Sequence, residues 1–268
     1  MRETLTSASN PKIKKLIALQ QKASERRESS LFAVEGRREL SRCLEAGYEP
    51  DTIFICPEIA GSVSLPECRI CEVSREVYAK IACREGTEGI IAEIKARPHS
   101  LDNLRLSASP LIAVLESVEK PGNIGAVLRT CDAAGADALI ICDPKADMYN
   151  PNLIRASLGA AFTVQTASCS SEKAINYLKS RGIQILTAQL QDSSAYYDCD
   201  MRGPTAIVMG TEATGLSTQW REAADAHIMI PMLGKVDSLN VSVSAAILLY
   251  ESVRQRQKWI NSVSSGTR

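Results

Sequence analysis

Residues 111–142 read LIAVLESVEKPGNIGAVLRTCDAAGADALIIC, and this stretch decides the fold class. Leu111–Leu115 is an unbroken apolar run, as expected of a strand buried on both faces. A loop follows from Glu116 to Gly122, then a helical pattern from Asn123 to about Ala134 that stops at Gly135. Ala138–Cys142 is a second apolar run. Strand, helix and strand in that order predict a parallel pair joined by a covering helix. Toward the C-terminus the alternation continues. Ser171 is placed to cap a helix through Lys179, with Gly182 just beyond it, and strands are predicted at Ile183–Ala188, Thr205–Met209 and His227–Ile230. A last helix runs from about Leu239 to Lys258, and Arg254, Arg256 and Lys258 suit the negative end of its dipole. The class is α/β, with helices covering both faces of a parallel sheet.

Toward the N-terminus, Pro98 and Pro110 bracket a polar, serine-containing stretch that reads as a linker over residues 98–109. Residues 1–97 ahead of it read as a small α/β domain. Helices are predicted over 11–28 and 36–46, the second ending at Gly47, and strands at Thr52–Cys56 and Gly89–Ile94. Residues 110–268 form the second domain.

The 268 residues are 45% hydrophobic and 23% charged, which is ordinary for a globular protein. No run of eighteen apolar residues marks a membrane span, and the first fifteen residues lack the apolar core of a signal peptide. Both point to a cytoplasmic protein with no membrane partner. Nine scattered cysteines, odd in number and several inside apolar runs, fit a reducing compartment. Cys68 and Cys71 have metal-ligand spacing, but no second pair accompanies them and neither His99 nor His227 is spaced to help. No metal is expected. The net charge of zero hides a basic N-terminus, where residues 1–45 carry ten Lys or Arg against six acids. That surplus is compatible with phosphate contacts, although charge alone favours a solvated helix surface.

Open parallel sheets bind ligands in the loops at the carboxyl ends of their strands. Three such loops are unusual here. In residues 121–130, Asn123 suits a helix N-cap, Gly122 and Gly125 permit close approach, and Arg129 matches phosphate geometry. An ordinary capped helix would carry the same residues. In residues 207–217 a buried strand runs straight into Gly210, Glu212 and Gly215. A turn needs one glycine, so the carboxylate of Glu212, able to accept hydrogen bonds from a ligand, is the informative residue. Residues 230–243 leave a strand at Ile230-Pro231 and reach Ser238-Leu239-Asn240 at the start of the last helix, a face rich in Ser and Ala. Neither Gly-x-Gly-x-x-Gly nor the Gly-x-x-x-x-Gly-Lys-Ser/Thr phosphate loop occurs, so the site is not a standard nucleotide cradle. Spacing alone supports an α/β ligand-binding domain with a three-loop site.

In this order the three loops resemble the motifs of the SpoU (TrmH-type) RNA ribose methyltransferases of the SPOUT superfamily. The matching pieces are NIGAVLRT at 123–130, GTEATGL at 210–216, and IPM with SLNVSV between 230 and 243. RASLGA at 155–160 resembles the same family, and the likeness spans about residues 111–255. Residues 1–95, with FAVEGRREL at 32–40, resemble the ribosomal-protein-like RNA-binding domain that often precedes this catalytic domain. Ala213 stands where the family usually has Gly, and Ser244 where Ala is common.

The resemblance implies a trefoil-knotted parallel-sheet catalytic domain, an exception to unknotted topology. It implies S-adenosylmethionine as cofactor, held near Gly210, Glu212, Ile230, Met232, Ser238 and Leu239, and a homodimer through the catalytic domains. Arg129, Asn123, Glu212, Ser238 and Asn240 are the implied catalytic group. A guanidinium, with a pKa above about 12, is a poor base. Arg129 is therefore expected to pair with an RNA phosphate and orient the ribose hydroxyl. The implied reaction is methyl transfer to a ribose 2'-hydroxyl of structured RNA. The N-terminal domain points to 23S ribosomal RNA over transfer RNA. A non-catalytic RNA-binding assembly factor and a base methyltransferase are the alternatives.

Overall fold

The computed structural model describes residues 2–83, 88–211 and 214–256, and the chain divides into two units. In the first, β1 (Arg2–Leu5), β2 (Leu31–Glu35), β3 (Pro50–Ile55), β4 (Arg69–Val73) and β5 (Ile90–Lys95) form a sheet in the order β1-β4-β3-β5-β2. β1, β4 and β3 are parallel, while β5 pairs antiparallel with β3 and β2. The helices are α1 (Pro11–Gln21), α2 (Ala23–Ser29), α3 (Arg37–Glu45), α4 (Pro57–Ala60) and α5 (Arg75–Ile81). Ile13, Leu16 and Leu19 of α1 are fully buried against Ala33, Phe54 and Ile91 of the sheet.

The single helix predicted over 11–28 is two helices, broken at Lys22 in an extended conformation (φ −115°, ψ 120°). No proline or glycine causes the break. The buried Arg26 folds back instead, donating to the Leu19 carbonyl at the end of α1 and pairing with Asp147. A side chain that satisfies a terminal carbonyl stabilises the helix end there.

The second unit opens with β6 (Leu111–Glu116), α6 (Pro121–Ala134) and β7 (Ala138–Cys142). After α7 (Pro151–Ser157) and α8 (Ala160–Thr163), which pack in the first unit, come β8 (Thr166–Cys169), α9 (Ser171–Ser180), β9 (Gln184–Ala188), β10 (Ser194–Ala195), β11 (Thr205–Met209), α10 (Thr218–Ala223), β12 (Ala226–Met229) and α11 (Val241–Gln255). The seven strands make one wholly parallel sheet in the order β10-β12-β9-β11-β6-β7-β8. Ile112, Val114, Ile140 and Val208 bury one face against Ala174 and Leu178 of α9 and Trp220 of α10. The alternate face, by the period of two, receives α6 and α11, which also pack on each other. The predicted strands are all present. β1, β2 and β4 in the first unit are additions, as are β8, mixed in polarity, and β10, only two residues long, in the second.

Three helix starts differ from expectation. α6 begins at Pro121 with Lys120 as its cap residue, so Asn123 lies inside the first turn. Proline is pre-set for a first helical position, which moves the start upstream. α9 is capped by Ser170, whose Oγ accepts from Lys173 N at 3.3 Å, and not by Ser171. α11 starts at Val241, and its predicted extension to Lys258 runs past the described residues.

Residues 110–268 read as one domain in sequence, yet residues 147–163 belong to the first unit. Aromatic packing explains it. The Tyr149 ring stacks on Phe32 at 4.1 Å between centroids, and Phe162 lies 5.4 Å from Tyr48. The Tyr149 hydroxyl accepts from Arg97 N (2.9 Å) and donates to the Arg97 carbonyl (3.0 Å). Arg42 donates to the Leu158 carbonyl at 2.8 Å. No helix among the described residues is long and apolar enough to cross a membrane, and all nine cysteines are free thiols.

One buried charge in β5 generates a prediction. Glu93 is 3% exposed; Lys15 reaches one carboxylate oxygen at 3.2 Å, and the other has no partner among the described residues. Burial pushes the Glu93 carboxyl up, against the opposing pull of Lys15. Its folded pKa therefore lies above the unfolded value of about 4.3. The protonated form favours folding, and that contribution is lost as pH rises through this window. Glu93→Gln is expected to raise the melting temperature at pH 8 and to converge with wild type near pH 4, measured by calorimetry. An advantage that grows toward acid would contradict this assignment.

Candidate active site

The site lies at the carboxyl ends of the central strands of the seven-stranded sheet. β6 ends in Glu116, a carboxylate only 5% exposed. Ser217, the cap residue of α10, donates to it twice, from its backbone N (2.8 Å) and its hydroxyl (2.6 Å). Ser171 Oγ accepts from the Trp220 indole (2.9 Å) and donates to Asp143 Oδ2 (2.6 Å), with Glu116 Oε1 3.3 Å away. One buried anion thus ties the end of β6 to the far end of the loop that leaves β11. In sequence Glu116 reads as the first residue of a loop; what marks it is a charge directly abutting a five-residue apolar run.

The loop after β11 folds on itself. Gly215, in the left-handed region at φ 65°, donates its N–H to the Thr211 carbonyl at 3.0 Å, and the two residues form a short bridge. Gly210 is required by this fold. A Cβ there would collide with the Gly215 carbonyl and lie 2.7 Å from Leu216 N. The sequence suggested that bare backbone at 210 admits a ligand; here it first admits the loop's own return strand. Glu212 and Ala213, between these points, lie outside the described residues.

Two clefts flank the loop. The first, of about 410 Å³, is lined by Gln189 and Leu190 after β9, Gly210 and Thr211 after β11, and Ser238 and Leu239 before α11. Ser244 also lines it. Leu190 is 56% exposed at its lip. Gln189 Oε1 is buried with no hydrogen-bond partner among the described residues. The second cleft, of about 370 Å³, is lined by Ser117 to Lys120 after β6, Asn123, Lys145 after β7, and Thr214. Thr211 and Val241 line both clefts and so form the wall between them.

Asn240 and Asn123 join the two helices behind that wall. Asn240 Oδ1 caps α11, accepting from Ser242 N (3.0 Å) and Ser242 Oγ (2.6 Å), while its Nδ2 donates to Asn123 Oδ1 at 3.3 Å. Asn123 is therefore a link between α6 and α11, not the N-cap that the sequence suggested. Of the remaining expected site residues, Gly210, Ser238 and Leu239 meet in the first cleft. Ile230 and Met232 follow β12, half-buried, and are not among its lining residues. Arg129 is exposed on α6, outside both clefts, with no hydrogen-bond or ion-pair partner among the described residues. Gln189, Leu190, Thr211 and Ser244 are cleft residues that sequence reading did not select. The first two follow a strand whose loop carries no recognisable motif.

The first cleft suits a small organic molecule. Its volume falls within the roughly 300–1,000 Å³ common for such sites, and it offers apolar walls with a few convergent polar groups.

Residues 110–250 match the model of the SpoU rRNA Methylase family, and residues 10–92 that of the MRM3-like substrate binding domain. The chain is 35% identical over 193 residues to the 23S rRNA (guanosine-2'-O-)-methyltransferase RlmB of Ralstonia nicotianae, covering 70% of this chain and 78% of that one. It is 27% identical over 246 residues to the 23S rRNA (guanosine(2553)-2'-O)-methyltransferase RlmP of Bacillus subtilis, covering 92% and 97%. Among solved structures, an AdoMet-bound rRNA methyltransferase from Sinorhizobium meliloti superposes with a TM-score of 0.87 at 28% identity, covering 94% of this chain and 98% of that one. With the three-loop site at the carboxyl ends of a parallel sheet and a family match over more than half its length, the chain belongs to the SpoU rRNA methylase family.

Proposed function

We propose that this protein transfers a methyl group from S-adenosylmethionine to the ribose 2'-hydroxyl of a guanosine in 23S ribosomal RNA. The observation that carries this reading is the pair of clefts sharing the Thr211–Val241 wall, one suited to a small organic molecule and the other edged by lysines. The RlmB and RlmP relatives, named for guanosine in 23S rRNA, support the substrate, and the AdoMet-bound neighbour supports the cofactor.

S-adenosylmethionine supplies an electrophilic methyl on its sulfonium. Gly210, Ser238 and Leu239 would hold it in the first cleft, and Ile230, Met232 and Glu212 would complete the family's set. Asn123, Asn240 and Ser238 shape the passage toward the acceptor cleft. Rate then comes largely from holding both reactants in near-attack geometry. The Arg129 guanidinium pairs with an RNA phosphate next to the acceptor and orients the ribose hydroxyl. Its exposure and lack of a protein partner fit a group that awaits RNA.

The active form is a homodimer through the catalytic domains. Support comes from the outer face of α11, where Val243 and Tyr250, seven residues apart and so on one stripe, are 46% and 48% exposed. The trefoil knot belongs to the same reading, as does action in the cytoplasm.

Labelled methyl transfer to unmodified 23S rRNA, followed by mapping of alkali-resistant linkages, tests the proposal. One resistant guanosine is expected in wild type and none in Arg129→Ala. Arg129→Lys keeps the charge and loses the bidentate fork, so turnover should fall on the order of a hundredfold. Near-wild-type turnover in that variant would remove the orienting role. Gly210→Ala overpacks the β11 loop, at about 1–3 kcal/mol. It should lower both the melting temperature and the affinity for S-adenosylmethionine by calorimetric titration. Unchanged affinity would separate that loop from the cofactor.

A further inference from the structure

We infer that Lys145, assisted by Lys120, is a phosphate clamp that fixes the RNA strand beside the acceptor ribose. The inference rests on the ribose-methylation reading and adds a positioning residue to it, drawn from outside the three motifs. β6 and β7 are adjacent parallel strands, and the loops leaving their carboxyl ends carry Lys120 and Lys145 to one cleft. Asn123 and the Thr211–Val241 wall bound the same cleft. The charged residues of its lining are Lys120, Lys145 and Glu119, all exposed, which leaves a single net positive charge.

Exposed lysines usually face solvent and carry no role, so position must decide. Both loops leave their strands through residues in the left-handed region, Ser117 at φ 53° and Asp143 at φ 49°. Such a conformation in a residue other than glycine is unfavourable and persists only where the surroundings enforce it. Here they do. Ser117 N donates to the Cys142 carbonyl and Asp143 N to the Cys169 carbonyl, each at 2.9 Å. The Asp143 carboxylate is further anchored by Ser171 N (3.2 Å) and Ser171 Oγ (2.6 Å). The turn before Lys145 is thus fixed to the sheet, two residues from a lysine that lines the cleft. Lys145 has no hydrogen-bond or ion-pair partner among the described residues. An ammonium on a long stem, anchored at its base and unpaired at its tip, matches a phosphodiester oxygen as a point charge.

The test uses the full-length protein and in vitro transcribed, unmodified 23S rRNA, with Lys145→Ala and Lys145→Arg. Lys145→Ala should raise the KM for RNA about three- to tenfold and make the slope of log affinity against log salt shallower by about one, the loss of one phosphate contact. Lys145→Arg should restore both. The affinity for S-adenosylmethionine should be unchanged, since Lys145 does not line the cofactor cleft. Unchanged KM and salt slope in Lys145→Ala would overturn the clamp. If wild type methylates no 23S rRNA, the ribose-methylation reading falls, and the salt slope of RNA binding still decides the clamp separately.

Discussion

Glu116 holds the active face of this molecule together. Its carboxylate sits at the end of the central strand β6, out of reach of solvent, and must be met by donors to be tolerated there. Those donors are the backbone N–H and the hydroxyl of Ser217, at the start of α10 and just after the loop that leaves β11. A buried anion with fixed donors therefore sets where the β11 loop must return to the sheet. The tight bridge between Thr211 and Gly215 and the exclusion of a Cβ at Gly210 follow from that return point. The wall between the two clefts is the outcome.

The centre of the catalytic unit's sheet was legible because β6, β7 and β11 are buried throughout and read as plain apolar runs. β9 is buried only at its centre and β12 only at Ile228, yet both keep a short apolar core in sequence. β8, at Thr166–Cys169, carries two hydroxyls and two half-buried positions, so its composition resembles a loop. β10 is a two-residue edge strand with no sequence signature at all. Helix ends were harder than helices. Asn123 looked like a cap because Asn favours that position, but Pro121 two residues earlier starts the helix, and the Asn side chain is then used between helices.

The site was legible only through its motifs. Gly210, Ser238 and Leu239 follow from the resemblance, and they line one cleft together. Gln189 and Leu190 line the same cleft but follow an ordinary strand in a loop without glycine, where neither period nor composition distinguishes a ligand wall from a connection. Residues 147–163 show the same limit at domain scale. Their aromatic residues look like any core residues in sequence, and only the stacking on Phe32 assigns them to the first unit.

That last feature governs the order in which the chain can fold as it leaves the ribosome. The N-terminal unit lacks Tyr149, Ile154 and Phe162 from one of its two cores until residue 163 has emerged, by which point β6 and β7 are already synthesised. The catalytic sheet waits longer still. β9 and β6 are separated by β11, so strands made earlier flank a gap that a later strand must enter. Contacts this distant in sequence slow folding and leave strand edges open meanwhile. Neither unit can finish before much of the other has been made, so the nascent chain holds two incomplete cores at once.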